Sequence, residues 1–176
     1  MKKIVFPMLL TATLVLSACD KTSTPESVKT QVEQQASAPI AANDLSAETK
    51  AYQQWVEGQI DLLLSDTEKF VAALNAGNVA EAKRIYPLAR MYFERSEPIA
   101  ESFGDLDPRI DNREADLEKD ETWTGFHRIE KILWTQNTTK GTEQLGKQLI
   151  NDIKELRAKI PTANVTGELM VQGSVD

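Results

Sequence analysis

At 176 residues and a formal charge of −7 at pH 7, the chain is long enough for one domain with a real core and too short for two ordinary ones. Its acidity sets it against nucleic-acid phosphates and anionic headgroups, so nucleic-acid binding is not expected, and cations are the ligands such a surface attracts. The single cysteine, Cys19, excludes an internal disulfide and a thiolate metal site elsewhere in the chain.

The chain begins with Lys2 and Lys3, a mostly apolar run from Ile4 to Leu16, and then Leu16-Ser17-Ala18-Cys19. This is the pattern of an export signal over residues 1–18, too short for a comfortable membrane span. The Leu-Ser-Ala-Cys ending resembles a bacterial lipobox, which implies cleavage before Cys19 and lipid attachment there; the plainer alternative is a free cysteine in an ordinary signal tail. Several acyl chains make such an anchor stable. Asp20 favours retention at the inner membrane where enteric sorting rules apply. Cleavage removes Lys2 and Lys3 and takes the formal charge from −7 to −9. Residues 19–45, rich in Lys, Thr, Ser, Pro, Gln and Ala, read as a flexible tether.

From Ser46 the pattern is helical. Tyr52, Trp55, Val56, Ile60, Leu63, Thr67, Phe70, Val71 and Leu74 recur at three- and four-residue steps until Gly77-Asn78 stops the run. Asn78 with Glu81 has the spacing of a capping box for a second helix, whose inner stripe is Ile85, Tyr86, Ala89, Tyr92, Phe93, Ser96 and Ile99. Pro87 and Pro98 fall inside that pattern and are expected to bend the helix at each place. A bend beside Glu94 and Glu97, three apart and on one face, would aim both carboxylates inward. A solvated charged face of Arg90, Glu94, Arg95, Glu97 and Glu101 accounts for the spacing equally well.

The link from Gly104 to Arg113 is packed with turn residues and acids, among them Asp111, which either reach a site lined by both flanking helices or serve as turn formers and caps. The acidic stretch Glu114 to Glu121 reads as a short helix. Thr122 or Thr124 then caps a helix over Trp123 to Trp134 that holds the chain's only histidine. There His127 and Glu130 share a face, so an imidazole nitrogen and a carboxylate can converge on one point; a surface ion pair has the same spacing. After a turn at Gly141, Leu145, Leu149, Ile153, Leu156 and Ile160 form a packing stripe without evident chemistry, closed by Pro161, and residues 162–176 read as a loose tail. With no two-residue alternation anywhere, the expected fold is all-α, an antiparallel helical bundle over residues 46–161.

The candidate ligands are therefore Glu94, Glu97, Asp111, His127 and Glu130. One nitrogen with several carboxylate oxygens suits iron, with manganese or zinc as alternatives, and does not suit copper(I), which prefers sulfur.

The blocks Phe93-Glu-Arg-Ser-Glu-Pro-Ile-Ala-Glu-Ser-Phe-Gly-Asp-Leu-Asp-Pro-Arg-Ile-Asp111 and Trp123-Thr-Gly-Phe-His-Arg-Ile-Glu-Lys-Ile-Leu-Trp134 resemble the imelysin-like domain of EfeO and EfeM proteins, periplasmic components of bacterial iron uptake. The resemblance runs from about Tyr52 to Ile160. It implies a helical bundle with a metal site at the His-x-x-Glu motif, and by position Glu94, Glu97, Asp111, His127 and Glu130 match the residues proposed as ligands in that family. The arrangement resembles the EfeM type, because only the short tether stands where EfeO proteins carry a cupredoxin domain. Family members continue into a second helical half, so the resemblance implies half of a fold, completed by another chain, by self-association, or not at all.

What the resemblance implies is a periplasmic, envelope-anchored lipoprotein that captures iron or relays it to an Efe-type membrane permease, with a peroxidase as a further partner and no enzymatic step. Two other readings compete. An imelysin-type metallopeptidase of the common zinc type needs two histidines one helical turn apart, and the chain has one. A metal-free scaffold or polysaccharide-binding lipoprotein needs none of the five ligands.

Overall fold

A computed structural model describes residues 44–173. The export signal, Cys19, and all but the last two residues of the tether lie outside the described residues. The described residues are all-α, with helices α1 (Ser46–Asn75), α2 (Val79–Glu94), α3 (Glu97–Ala100), α4 (Leu106–Asp111), α5 (Gly125–Thr135), α6 (Glu143–Lys159) and α7 (Gly167–Gln172). None of these is long and apolar enough to cross a membrane.

The long helix α1 is the spine, about 45 Å at 1.5 Å per residue, and it buries Val56, Ile60, Leu63, Thr67, Phe70, Val71 and Leu74. Trp55, expected on that stripe, is 46% exposed and stacks instead on the half-buried Tyr52. The helix closes in a Schellman arrangement: Asn78 N–H donates to Ala73 O at 2.9 Å, Gly77 N–H donates to Leu74 O at 3.0 Å, and Gly77 sits at φ +71°. Asn78 then caps α2, its Oδ1 accepting from Glu81 N–H at 3.1 Å. Only this half of the capping box forms, because the Glu81 carboxylate pairs with Arg84. The three-residue link turns α2 back along α1, and α6 packs on another side of α1, with Gly146 of α6 lying directly over Val71.

The second helix is shorter than the sequence pattern implies. It runs through Pro87 and ends at Glu94; the chain then breaks at Arg95-Ser96 and restarts as α3. Pro98 lies in the first turn of this new helix, where its missing N–H forgoes no bond. The buried Ser96 hydroxyl donates to Tyr92 O at 2.8 Å, and the Tyr52 hydroxyl donates to Arg95 O at 3.2 Å, so the carbonyls at the break are satisfied. What resembled a bend is thus a helix end and a helix start, and it carries Glu97 away from the line of α2.

Helix α4 is short and is held by its neighbours. Arg109 donates to Asp152 on α6 through Nε at 3.0 Å and also through Nη2, which in addition meets Glu155 at 2.6 Å. Asp152 is 1% exposed and also accepts from Gln148 at 2.9 Å. Helix α6, read from sequence as packing alone, therefore carries a buried carboxylate that fixes α4. Replacing Asp152 with asparagine keeps the volume and removes the charge; with Arg109 part-exposed, the expected loss is about 2 kcal/mol, measurable by urea denaturation.

The tail is ordered rather than loose through residue 173. Gln53 on α1 donates to Ile160 O at 2.8 Å and Ala163 O at 3.2 Å, Thr166 caps α7 by accepting from Leu169 N–H at 3.1 Å, and Gly173 rests on Pro98. The acidic stretch after α4 contributes one 3-10 turn, Glu114–Asp116.

Candidate metal centre

The site forms where α4 ends and α5 begins. Carbonyl oxygens at the end of α4 lack helical partners, and the residues leading into α5 supply donors: Thr124 Oγ1 donates to Arg109 O at 2.9 Å, and Trp123 Nε1 donates to Asn112 O at 2.7 Å. Thr124 occupies the N-cap position of α5, but its hydroxyl is spent on α4 and makes no cap bond. Gly125 completes the joint, since a Cβ there would stand 2.2 Å from Ile110 O. This close docking sets His127 of α5 against Asp111 of α4.

His127 Nδ1 lies 2.7 Å from Glu130 Oε2, while Nε2 is buried, has no hydrogen-bond partner and faces Asp111 Oδ1 at 3.8 Å. The short contact to a carboxylate places a proton on Nδ1, so in the neutral imidazole it is Nε2 that carries the free lone pair. Glu130 thereby acts on the imidazole from behind. In this arrangement His127 and Glu130 bond each other instead of pointing side by side at a common centre.

Asp111, almost fully buried, accepts from Arg90 of α2 through Oδ1 at 3.0 Å and Oδ2 at 2.6 Å, and Arg90 also pairs with Glu94 at 2.5 Å. Burial works against the Arg90 charge, but the carboxylates of Asp111 and Glu94 outweigh it and hold the guanidinium firmly protonated. On the far side of Asp111 is a hollow of about 280 Å3 lined by Glu94, Glu97, Asp107, Asp111, Asn112, Arg113 and Asp116. Glu97 is pushed up to about 7, by burial first and then by Glu94, Asp111 and Asp107. Asp107 is pushed up to about 6 by burial and by Asp111 and Glu101. A larger groove of about 820 Å3 beside Leu45 and Val171 has apolar walls and none of these groups.

The structure thus joins Asp111, His127 and Glu130 in one contact chain, brings Glu94 to it through Arg90, and sets Glu97 across the acidic hollow. Among the described residues no three His, Cys, Asp or Glu side chains are drawn tightly enough to hold an ion. The donor set nevertheless fits a hard or intermediate cation: a buried imidazole nitrogen with no hydrogen-bond partner, a buried carboxylate facing it, and two further carboxyls, Glu97 and Asp107, whose charges repel one another.

Residues 48–174 match the family model for imelysin. The chain belongs to the imelysin family. A Staphylococcus haemolyticus (strain JCSC1435) protein described as an Efem/EfeO family lipoprotein is 45% identical over 174 residues, covering 96% of this chain and 61% of the relative. A Staphylococcus aureus (strain NCTC 8325 / PS 47) protein of the same description is 47% identical over 137 residues, covering 76% of this chain and 48% of the relative. This imelysin-family chain therefore spans about half to three fifths of the length of these curated relatives.

Two further residues of this arrangement, Arg90 and Asp107, fall in the sequence on a charged face and among turn formers; the signal for each is a four-residue step, Arg90 to Glu94 and Asp107 to Asp111.

Proposed function

We propose that the chain is an iron-binding lipoprotein of an Efe-type iron-uptake system, capturing iron or relaying it to a membrane permease, with iron as cargo held by coordination alone and no group transferred. The observation that carries this reading is the buried, unpartnered Nε2 of His127, presented toward Asp111 while Nδ1 is held by Glu130. His127, Asp111, Glu97 and Glu94 are the residues proposed to meet the ion, and Glu130, matched to the ligand set by resemblance, orients the imidazole in this geometry. The description of both relatives as lipoproteins supports envelope anchoring through Cys19, and the relatives' family supports the permease as partner. The test is thermal unfolding of the full chain with and without iron. A cation bound only to the folded state raises Tm as its concentration rises.

A metal-free scaffold is the second reading, and one observation favours it: Arg90 already neutralises Asp111 and Glu94. It predicts that Tm is the same with and without iron, zinc or manganese.

The raised carboxyls add a pH signature. Glu97 and Asp107 titrate near 7 and 6 in the fold against ordinary values of 4.5 and 3.8, so between those limits the folded chain holds protons that the unfolded chain has released. Their stabilising effect is complete below the ordinary values and is lost as pH rises through 6 and 7. Cation-free protein is therefore expected to melt lower at pH 8 than at pH 5, with a shallower slope in Glu97→Gln. Cation binding displaces the same protons, so the iron-induced rise in Tm is expected to be larger at pH 8.

A further inference from the structure

Asp111 is the buried anion of the site, its side chain 7% exposed, and both its oxygens accept from one residue. Arg90 of α2 donates to Oδ1 through Nε at 3.0 Å and to Oδ2 through Nη2 at 2.6 Å, and its third nitrogen, Nη1, meets Glu94 Oε1 at 2.5 Å. One guanidinium thus spans two of the residues proposed to meet the ion. The same Oδ1 stands 3.8 Å from the unpartnered Nε2 of His127, and an ion about 2.1 Å from each atom fits such a gap. That ion would share Oδ1 with a guanidinium already bonded to it, and two cations on one buried carboxylate repel each other. Arg90 has somewhere to go. Glu94 lies one turn along α2 with its side chain 43% exposed, and beside the pair is a groove of about 460 Å3 walled by Tyr86, Pro87, Met91, Glu94 and Arg95. By turning into that groove Arg90 keeps Glu94 Oε1 and leaves Asp111, while Glu94 still has its second oxygen to offer.

We propose that Arg90 is a built-in competitor for the cation: it closes the empty site by holding Asp111 and turns out toward Glu94 when an ion binds, so its grip sets how tightly iron is held and how readily it leaves. This rests on the iron-binding reading above. Without Arg90 the buried Asp111 carboxylate would face a neutral imidazole with no counter-charge, which destabilises the empty fold. With Arg90 in place, only the fraction of chains whose Asp111 is released can take the ion, and the observed affinity falls by that fraction. The two effects give one substitution opposite signs. An arginine that merely braced α2 against α4 would lose stability and affinity together when removed.

The experiment titrates the full chain, Arg90→Gln, Arg90→Lys and His127→Ala with ferrous sulfate under nitrogen, reading affinity by calorimetry and the melting of cation-free protein by circular dichroism. Arg90→Gln is expected to melt lower than the wild type without cation and yet to bind iron more tightly, by about tenfold or more. Arg90→Lys keeps the charge and loses the two-pronged grip, so its iron affinity should fall between those of the wild type and Arg90→Gln. Iron binding in folded Arg90→Gln that is no tighter than in the wild type, or a cation-free Tm in that variant at or above the wild-type value, would overturn the proposal while leaving the iron reading intact. Should Arg90→Gln not fold, Arg90→Lys decides in its place, and an iron affinity no higher than that of the wild type overturns the proposal. Absence of iron binding by the wild type and both Arg90 variants, or undiminished binding in His127→Ala, would overturn the iron reading itself.

Discussion

Replacing His127 with alanine is expected to abolish iron binding while leaving the fold in place. The imidazole is the chain's only nitrogen ligand of its kind, and its Nε2 is buried, directional and without a hydrogen-bond partner. The surrounding carboxylates have other partners: Asp111 and Glu94 are held by Arg90, and Glu130 holds Nδ1. Without the nitrogen, a cation must displace a bidentate arginine to reach Asp111 and has carboxylates alone to bind it. The side chain is partly exposed and is not part of the hydrophobic core, so truncation should leave the cation-free melting temperature close to that of the wild type. The companion variant Glu130→Gln separates orientation from ligation. It keeps the imidazole and loses the charge behind it, and iron affinity should fall roughly 10- to 100-fold, less than in His127→Ala. Calorimetric titration distinguishes the two, and iron affinity unchanged in His127→Ala contradicts the assignment.

Gly125→Ala is expected to be the most destabilising single-methyl change in the chain. The residue sits at φ +80°, where a Cβ is disfavoured, and the added carbon would lie 2.2 Å from Ile110 O and 2.8 Å from Arg109 O, both rigid backbone atoms. Neither partner can swing aside as a side-chain tip would. Conformational strain and overpacking together cost on the order of 3 kcal/mol, a fall in Tm of roughly 10 °C. The joint that must open is the one that sets His127 against Asp111, so iron affinity should fall with stability. A melting temperature within about 1 °C of the wild type would show that the α4–α5 joint is looser than the structure has it.

The helical core was legible because long amphipathic runs have one solution. Val56, Ile60, Leu63, Phe70 and Leu74 fall on a single face whatever packs against it, and Gly77-Asn78 stops the run with residues suited to a Schellman turn and a cap. Proline was harder to read. Pro98 removes one N–H wherever it stands, and only Ser96 and Tyr52, bonding the carbonyls before it, decide that the helix ends there instead of bending. Trp55 fits the period but faces outward, since a periodic stripe is wider than the surface its neighbours cover.

In the site, local spacing placed His127 beside Glu130 but could not say that they bond each other, because side-by-side and mutual contact both satisfy a three-residue step. Asp111 was one of several acids on the link that could reach the site, and its pairing with Arg90 had no local signal: the pair spans 21 residues and exists only once α2 and α4 are packed. Asp152 was missed for the same reason. A single acid on a packing helix reads as exposed until an arginine 43 residues away is found to cover it.

The most direct test of the account is the location of the ion. Crystals of the full chain grown with iron, with anomalous diffraction recorded at the iron edge, are predicted to show one peak at bonding distance from His127 Nε2 and an Asp111 oxygen, with Arg90 displaced from that carboxylate. A peak elsewhere on the acidic surface, or an undisturbed Arg90–Asp111 pair with no iron beside His127, would contradict it.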